Sequence, residues 1–261
     1  LSIIKNDWDT TDDDISTCDV STITNMNQMF RGNSNFNQDI STWNVSNVTN
    51  MFKMFENATS FNQDISTNAG WDVSKVTNMF AMFAGASAFN HNIGDWNVGE
   101  VINMESMFAG ASAFNQNIGG WDITKVTALN YILQGAALST PNYDALLIGW
   151  AELNLATHFA YFSAGASKYS AGATNARNSL ISRWIVIFDG GLNNPVLSSS
   201  TPADGATGIA VDANIVLTFS EAVNRQSGNI VIKKTSDDST VETIAVTDSK
   251  ITGTGTTTIT I

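Results

Sequence analysis

The chain is poor in the residues that make covalent cross-links, catalytic sites and basic surfaces. Its 261 residues include one cysteine, three prolines and two histidines, and only 14% of them are charged. The single Cys18 cannot form an internal disulfide, so stability has to come from packing. Lys and Arg total 12 and form no basic run, which argues against nucleic-acid binding. No apolar run is long enough to span a membrane.

The sequence also lacks the common signatures of catalysis. It contains no G-x-S-x-G elbow, no phosphate-binding P-loop and no C-x-x-C pair. His91 falls at a repeated surface position, and His158 has no neighbours at metal-ligand spacing. The carboxylates show no pairing suited to acid–base chemistry. We therefore expect a protein that is not an enzyme.

What the chain has in abundance is one repeated stretch. WNVSNVTNMFKMFENATSFNQDI begins at Trp43, and WDVSKVTNMFAMFAGASAFNHNI and WNVGEVINMESMFAGASAFNQNI follow it closely. The β-branched residue two positions after each tryptophan, or after Cys18 in the first unit, recurs at steps of 25, 28, 25 and 25 residues. Its occurrences are Val20, Val45, Val73, Val98 and Ile123. Such a period is typical of a solenoid, in which each unit buries its apolar side against its neighbours.

Each unit is expected to hold one short helix and one short strand. Met51, Met54, Phe55 and Ala58 lie at offsets of 0, 3, 4 and 7, which is the spacing of one helix face. Ile65 lies between polar residues, as in a half-buried strand. The extra residues between Ile65 and Trp71 should bulge out as a loop.

In a stack of such units, equivalent side chains should form columns. Phe61, Phe89 and Phe114 are predicted to line up in a single column. Two sets of asparagines are predicted to satisfy backbone groups at the bends, which would otherwise be buried without partners. These sets are Asn37, Asn62, Asn90 and Asn115, and Asn25, Asn50, Asn78 and Asn103.

One column contains carboxylates. Asp14, Asp39 and Asp64 share a repeat position that Asn92 and Asn117 fill later. Stacked carboxylates repel one another unless water or a cation separates them, and Ca²⁺ favours several oxygen ligands of this kind. The column is thus either a solvated edge or a calcium site, and calcium is the one cofactor that the sequence suggests.

The repeats resemble a known family. The pattern V-T-N-M-x-x-M-F-x-G-A/C-x-x-F-N is similar to the BspA-type bacterial surface-protein repeats, a divergent leucine-rich-repeat group, over residues 14–191. The resemblance implies a leucine-rich-repeat-like α/β solenoid with an extracellular or cell-surface, adhesive or ligand-binding role. The chain does not start with Met and shows no leader, so we expect a mature or excised fragment.

The pattern changes towards the end of the repeats. STPNYDALLIGWAEL predicts a helix with Thr140 as N-cap and Pro141 at its first position. A strand at Phe159, Tyr161 and Phe162, a second helix in KYSAGATNARNSLISRW and a buried strand in WIVIFDGG follow. The N-Y-D-x-L-L-x-G-W and K-Y-S-A-G motifs resemble the cap that closes these repeats in the family. We expect a solenoid with an N-terminal cap over residues 1–134 and an α/β cap over 135–192.

The remainder of the chain alternates apolar and polar residues. After a linker over 193–199, NIVLTFS, GNIVIKK, VETIAV and TTTITI predict strands. Residues 200–261 resemble a bacterial Ig-like domain of the adhesin or surface-layer type. Such all-β sandwiches need about seven strands and roughly 100 residues, so we expect an incomplete sandwich.

These features favour a non-enzymatic surface protein that binds a protein or a glycan through residues that vary between repeats. Candidate binding residues are Lys53, Ala81 and Glu105, and the column Gln38, Gln63, His91 and Gln116. The net charge of −12 favours basic partners or divalent cations. The alternative is a structural subunit that self-associates into a fibre or surface layer, through stacking or strand exchange.

Overall fold

The computed structural model describes residues 14–136, 138–155, 162–183, 187–193, 196–203, 205–210, 213–223, 229–233 and 236–261. The chain divides into two compact units, residues 1–193 and 194–261. The N-terminal cap predicted around Ile3, Ile4 and Trp8 lies outside the described residues, as do Phe159, Tyr161, His158 and Trp184.

Residues 14–136 wind into stacked coils. We number them 1 to 5 by the residues that form parallel β-bridges from one coil to the next, which are Asn25, Asn50, Asn78, Asn103 and Ala128. The core of this unit is continuous from Ile15 to Ile187. The insertion between Ile65 and Trp71 forms a short 3-10 helix, Thr67–Ala69. Thr67 is hydrogen-bonded to Asp95 of the next coil. The predicted bulge is thus confirmed.

In one segment of each coil, the backbone hydrogen bonds to the neighbouring coil all have the same polarity. In each of coils 1 to 4, four alternate N–H groups donate to carbonyls of the following coil, over 2.7–2.9 Å. In coil 2, for example, Met51 donates to Asn78, Lys53 to Phe80, and Phe55 to Met82. A β-ladder sends N–H and C=O groups to both sides in turn. Here the N–H groups of one segment all point towards the C-terminal end of the stack, and we call this set of bonds the ladder.

The coils contain no α-helix anywhere in residues 14–136, so the predicted helix-plus-strand unit is wrong. Lys53 and Asn57 have φ of 55° and 58°, in the left-handed region that a right-handed helix excludes. The intervening N–H groups close tight turns instead, as Met54 does on Met51 and Glu56 on Lys53. This chain path also buries positions 0, 3, 4 and 7, so the apolar spacing could not distinguish it from a helix.

The core consists of side-chain columns. The ring centroids of Phe61 and Phe89 are 5.8 Å apart, and those of Phe89 and Phe114 are 6.1 Å apart. Within each pair the rings are within 9° of parallel. The predicted column is therefore confirmed. A second column places the rings of Phe30, Phe55, Phe83 and Phe108 at successive spacings of 5.6, 5.5 and 5.6 Å. Burying each phenylalanine contributes roughly 1.5–3 kcal/mol.

Polar side chains satisfy backbone groups between the coils. Asn62 Oδ1 accepts the Asn90 N–H at 2.9 Å, and Asn90 Oδ1 accepts that of Asn115 at 2.8 Å. Asn50 Oδ1 accepts the N–H of Phe52, two residues on, at 2.9 Å. Both predicted asparagine sets thus act as proposed. The four tryptophans of the coils, Trp43, Trp71, Trp96 and Trp121, also donate their Nε1–H groups to isoleucine carbonyls of the preceding coil, over 2.8–3.1 Å.

The aspartate column lies at a corner of every coil. Asp39 and Asp64 accept the N–H groups of Ser41 and Ser66 at 2.9 and 3.0 Å. Asp14, Asn92 and Asn117 make the same bond to the residue two positions on, each at 2.9 Å. The position therefore needs an acceptor oxygen, which both Asp and Asn supply. These hydrogen bonds lower the pKa of Asp64, and the backbone bond from Ser66 has the largest effect.

Two α/β segments close the stack. Helix α1 (Thr140–Glu152) precedes strand β1 (Phe162–Ser163), and helix α2 (Thr174–Ile181) precedes strand β2 (Ile187–Phe188). The strands pair in parallel. They also extend the ladder, because Leu133 donates to Ser163 at 3.1 Å and Ala164 donates to Phe188 at 2.8 Å. A helix-plus-strand unit thus occurs in the cap alone among the described residues.

A buried ion pair holds the cap closed. Asp189 has a side chain only 3% exposed and accepts from Arg177 Nε at 2.7 Å and from the Tyr143 hydroxyl at 2.8 Å. Burial and the neighbouring carboxylate raise the pKa of Tyr143. Asp144 binds the Ser170 hydroxyl at 2.6 Å. The bond between Asp144 and Ser170 connects the two motifs of the cap, N-Y-D and K-Y-S.

The described residues of the second unit form five strands in two antiparallel sheets. Their bounds are β3 Leu197–Thr201, β4 Val216–Val223, β5 Asn229–Lys233, β6 Thr240–Ala245 and β7 Thr256–Thr260. One sheet has the order β3-β4-β7, and β5 and β6 form the other. Among the described residues, the buried core of this second unit consists of Ile244, Ile251 and Ile259. The four predicted strands are present within three residues of their predicted ends, and β3 begins inside the stretch predicted as a linker.

The left-handed positions generate a first prediction. Gly85 has a φ of 71°, and an added Cβ would lie 2.3 Å from Asn57 Oδ1. We expect Gly85→Ala to destabilise the stack by about 1–2 kcal/mol, because L-residues are strained in this region. Gly120→Ala is the matched control, since its nearest contact would be at 3.9 Å. Equal urea midpoints for the two variants would contradict the backbone path.

The corner carboxylates generate a second prediction. At neutral pH, Asp64→Ala should cost about 1 kcal/mol, the value of one hydrogen bond, whereas Asp64→Asn keeps the acceptor and should cost less. The folded pKa of Asp64 is lowered, so its stabilisation is present above the unfolded value of about 3.9 and is lost as the pH falls below it. Asp64→Asn should therefore lose less stability than the parent chain between pH 7 and pH 3, measured by urea denaturation. Parallel pH profiles would show that the carboxylate contributes nothing.

Candidate ligand-binding face

One face of the stack varies from coil to coil. Three columns carry half-buried or exposed side chains, apart from the buried Ala81. We call these columns the variable face, and they comprise Asn27, Phe52, Phe80, Glu105 and Asn130; Gln28, Lys53, Ala81, Ser106 and Tyr131; and Arg31, Glu56, Ala84, Ala109 and Gln134. Lys53 and Glu105, both predicted as binding residues, therefore lie on one face but in neighbouring columns.

Two aromatic side chains lie on this face. The rings of Phe52 and Phe80 are 5.1 Å apart and within 14° of parallel. Both residues are half-buried, unlike the phenylalanines of the core columns. The remaining coils place the polar residues Asn27, Glu105 and Asn130 in the same column. The stack does not require an aromatic ring here, so the pair adds apolar surface that core packing does not explain.

Charged groups surround the aromatic pair. Lys53 Nζ lies 5.6 Å from the centroids of both rings and 2.8 Å from Glu56 Oε1. Glu56 also pairs with Arg31 of coil 1. Burial tends to raise the pKa of Glu56, but the hydrogen bonds from Lys53 and Arg31 lower it overall. The position of the lysine is thus fixed by Phe52 and Glu56 of its own coil and by Phe80 of the next coil.

The variable face carries shorter side chains over coils 3 and 4 than over coils 2 and 5. There the second and third columns hold only Ala81, Ala84, Ser106 and Ala109. Coil 2 has the longer Lys53 and Glu56 in these columns, and coil 5 has Tyr131, which is 40% exposed. A ligand on this face would contact the small residues of coils 3 and 4, which are flanked by the longer side chains of coils 2 and 5.

The second predicted binding column makes contacts within the stack. Gln63 Nε2 donates to the Asn37 carbonyl at 2.8 Å, and Gln116 Nε2 donates to that of Asn90 at 2.6 Å. Gln38 Oε1 accepts the Ile15 N–H at 3.0 Å. Together with His91 these side chains are half-buried. The three glutamines connect adjacent coils, and a ligand-binding role for this column stays a prediction.

The predicted metal column has an internal role as well. Each of Asp14, Asp39 and Asp64 uses one carboxylate oxygen on its own corner turn. Among the described residues, no group of three His, Cys, Asp or Glu side chains could hold a metal ion. Calcium binding remains a prediction, which calorimetry with Ca²⁺ would test.

The repeat pattern did not indicate Phe52 and Phe80, because their position is aromatic in two coils and polar in the other three. The aligned Asn27, Glu105 and Asn130 were the available signal, since a column that accepts such residues faces water. Arg31, Glu56 and Tyr131 were missed because single exposed residues carry no pattern.

The described helices do not reach the length and hydropathy that a membrane-spanning helix needs. No curated protein and no solved structure matches the chain. Two family models do match it. The first, described as "Mycoplasma protein of unknown function, DUF285", covers residues 2–70 and 67–169, which is more than half of the chain. The second, described as "Bacterial Ig-like domain", covers residues 193–261.

The two matches together support a surface-protein architecture, with the Ig-like match falling on the all-β unit. The stacked coils and most of the cap lie within the first match, and on this evidence the chain belongs to the DUF285 family of Mycoplasma proteins of unknown function.

Proposed function

We propose that this chain is a non-enzymatic binding protein of the bacterial cell surface or extracellular space. It contacts a protein or glycan on another cell or matrix through the variable face, and the Ig-like domain serves as a spacer. The observation that carries the proposal is the half-buried Phe52–Phe80 pair, in a column where other coils are polar. Aromatic side chains are enriched at interfaces and often dominate binding energy.

The repeat period and the shared hydrogen-bonding of the coils support a finer proposal. We infer a solenoid related to the BspA-type, leucine-rich-repeat-like surface proteins. The helix-plus-strand units of the cap, α1 with β1 and α2 with β2, support this relationship. The turn-only coils differ from it, so the relationship rests on the repeat motif and on the cap rather than on the coil conformation.

The fibre alternative depends on self-association. Strand exchange would use the edges of the two small sheets of the Ig-like unit, in which β3 and β6 each have one neighbour. Sedimentation velocity of the purified full chain separates the two functions. A binding module stays monomeric over a wide range of concentration, whereas a fibre subunit forms larger species.

The variable face generates a third prediction. We expect Phe52→Asn with Phe80→Asn, which installs the residue that coils 1 and 5 carry there, to weaken retention on a glycan or protein array at least about tenfold, as for a hot spot. The partner loses its apolar contact, while the coil keeps a side chain that this column accepts.

Asp72→Asn is the matched control, because it installs the residue that the neighbouring coils carry at that position, keeps the acceptor for the Ser74 N–H and should leave retention unchanged. Thermal melting verifies that both variants fold. Equal retention of parent and double variant, or turnover of any substrate by the parent chain, would overturn the proposed function.

A further inference from the structure

The aromatic pair of the variable face is followed by a carboxylate in the next coil. In the first of the three columns, Glu105 of coil 4 comes directly after Phe52 and Phe80. Glu105 is half-buried. Within the described part of the chain, its carboxylate takes part in no ion pair. A carboxylate that is partly withdrawn from water without a counter-ion is stabilised by a cation that reaches it.

Lys53 shows how a cationic side chain lies on this face. Its ammonium group is 5.6 Å from the centroids of the Phe52 and Phe80 rings and 2.8 Å from a Glu56 carboxylate oxygen. One side chain of the second column thus reaches both rings of the first column and a carboxylate of the third. Only 21% of the lysine side chain is exposed, so its alkyl chain packs along the coils while the charged end forms the ion pair.

Coils 3 and 4 have no such cation on the variable face. Their second and third columns hold only small residues, which are Ala81, Ala84, Ser106 and Ala109. All except Ala81 are half-buried, so a ligand can contact them. These two coils therefore present apolar groups and the negative charge of Glu105, and no positive charge.

We propose that the partner of the variable face is a protein that places an arginine side chain across coils 3 and 4. The guanidinium group pairs with Glu105, and the alkyl chain lies on the small residues beside the Phe80 ring. Arginine suits this surface because its guanidinium group binds a carboxylate through two parallel N–H groups and also stacks on aromatic rings. The inference rests on the proposed function, since it names the partner of the same surface.

The charge of the surface argues against a glycan. A neutral glycan can stack on the Phe80 ring but offers no cation to Glu105, and an acidic glycan would be repelled by that carboxylate. The net charge of −12 also attracts a basic partner at long range. A protein surface that combines an arginine with apolar neighbours therefore complements both the ring and the carboxylate.

A blocked Leu-Arg-Leu tripeptide tests the site on the ¹³C-labelled full chain. We expect saturable chemical-shift changes at the Glu105 carboxyl carbon and at the Phe80 ring carbons. A peptide with citrulline in place of arginine has nearly the same shape without the charge. It should bind about tenfold more weakly, as for the loss of a hydrogen bond to a charged group. Equal affinity for the two peptides, or no saturable change at Glu105, would overturn the inference.

A pair of charge variants separates the site from general acidity. Glu105→Gln should weaken binding of the arginine peptide about tenfold, for the same reason. Glu100→Gln is the matched control, because it removes the same charge from the same coil, but Glu100 lies outside the variable face and pairs with Lys125. The control should leave the affinity unchanged. An equal loss in both variants would overturn the site, because the overall charge would then explain the binding.

Retention on the protein and glycan arrays distinguishes this inference from the proposed function. We expect the partner to be a protein, and Glu105→Gln to lower retention on it about tenfold. Retention that is confined to glycans, or that Glu105→Gln leaves unchanged, overturns the arginine site alone. The proposed function itself fails when the double variant Phe52→Asn with Phe80→Asn is retained as well as the parent chain.

Discussion

The ladder of backbone hydrogen bonds is the constraint from which the stack follows. Of the four N–H groups that a coil donates to its neighbour, two belong to residues in the left-handed region, as Lys53 and Asn57 do in coil 2. That turn excludes a helix and places Phe55 and Phe61 on the inner side. Because each coil repeats this geometry, equivalent rings stack at 5.5–6.1 Å. The asparagine columns then satisfy the backbone groups that the turns leave without partners.

Much of this architecture was predictable from the sequence, and the reasons are specific. The period aligned Phe61 with Phe89 and Phe114, and the recurring asparagines indicated where bends needed acceptors. The conformation of the coil was not predictable, since turns that alternate in handedness bury the same positions as a helix face. Gly85 and Gly110, both with positive φ, were a signal against a helix. Strand β3 was missed because LSSST lacks apolar alternation.

The candidate site was harder to predict than the fold. The sequence indicates which residues vary between coils, but it does not indicate whether their side chains face solvent or the neighbouring coil. The column of Gln63 and Gln116 was therefore a candidate binding surface, although its amides donate to carbonyls of adjacent coils. Lys53 lies on the variable face beside two rings that the repeat pattern did not indicate, and its role in binding stays a prediction. Burial of a phenylalanine depends on its column, and a column can be judged only when the register of every coil is known.

The uniform junction between coils has a consequence for how such proteins change. Each coil receives and passes on the same row of peptide groups, whatever side chains it carries outside. A whole coil can therefore be duplicated or deleted without leaving unpaired backbone groups between the coils on either side. The number of coils, and with it the length and composition of the contact surface, can vary among genes faster than point substitution within one coil would allow.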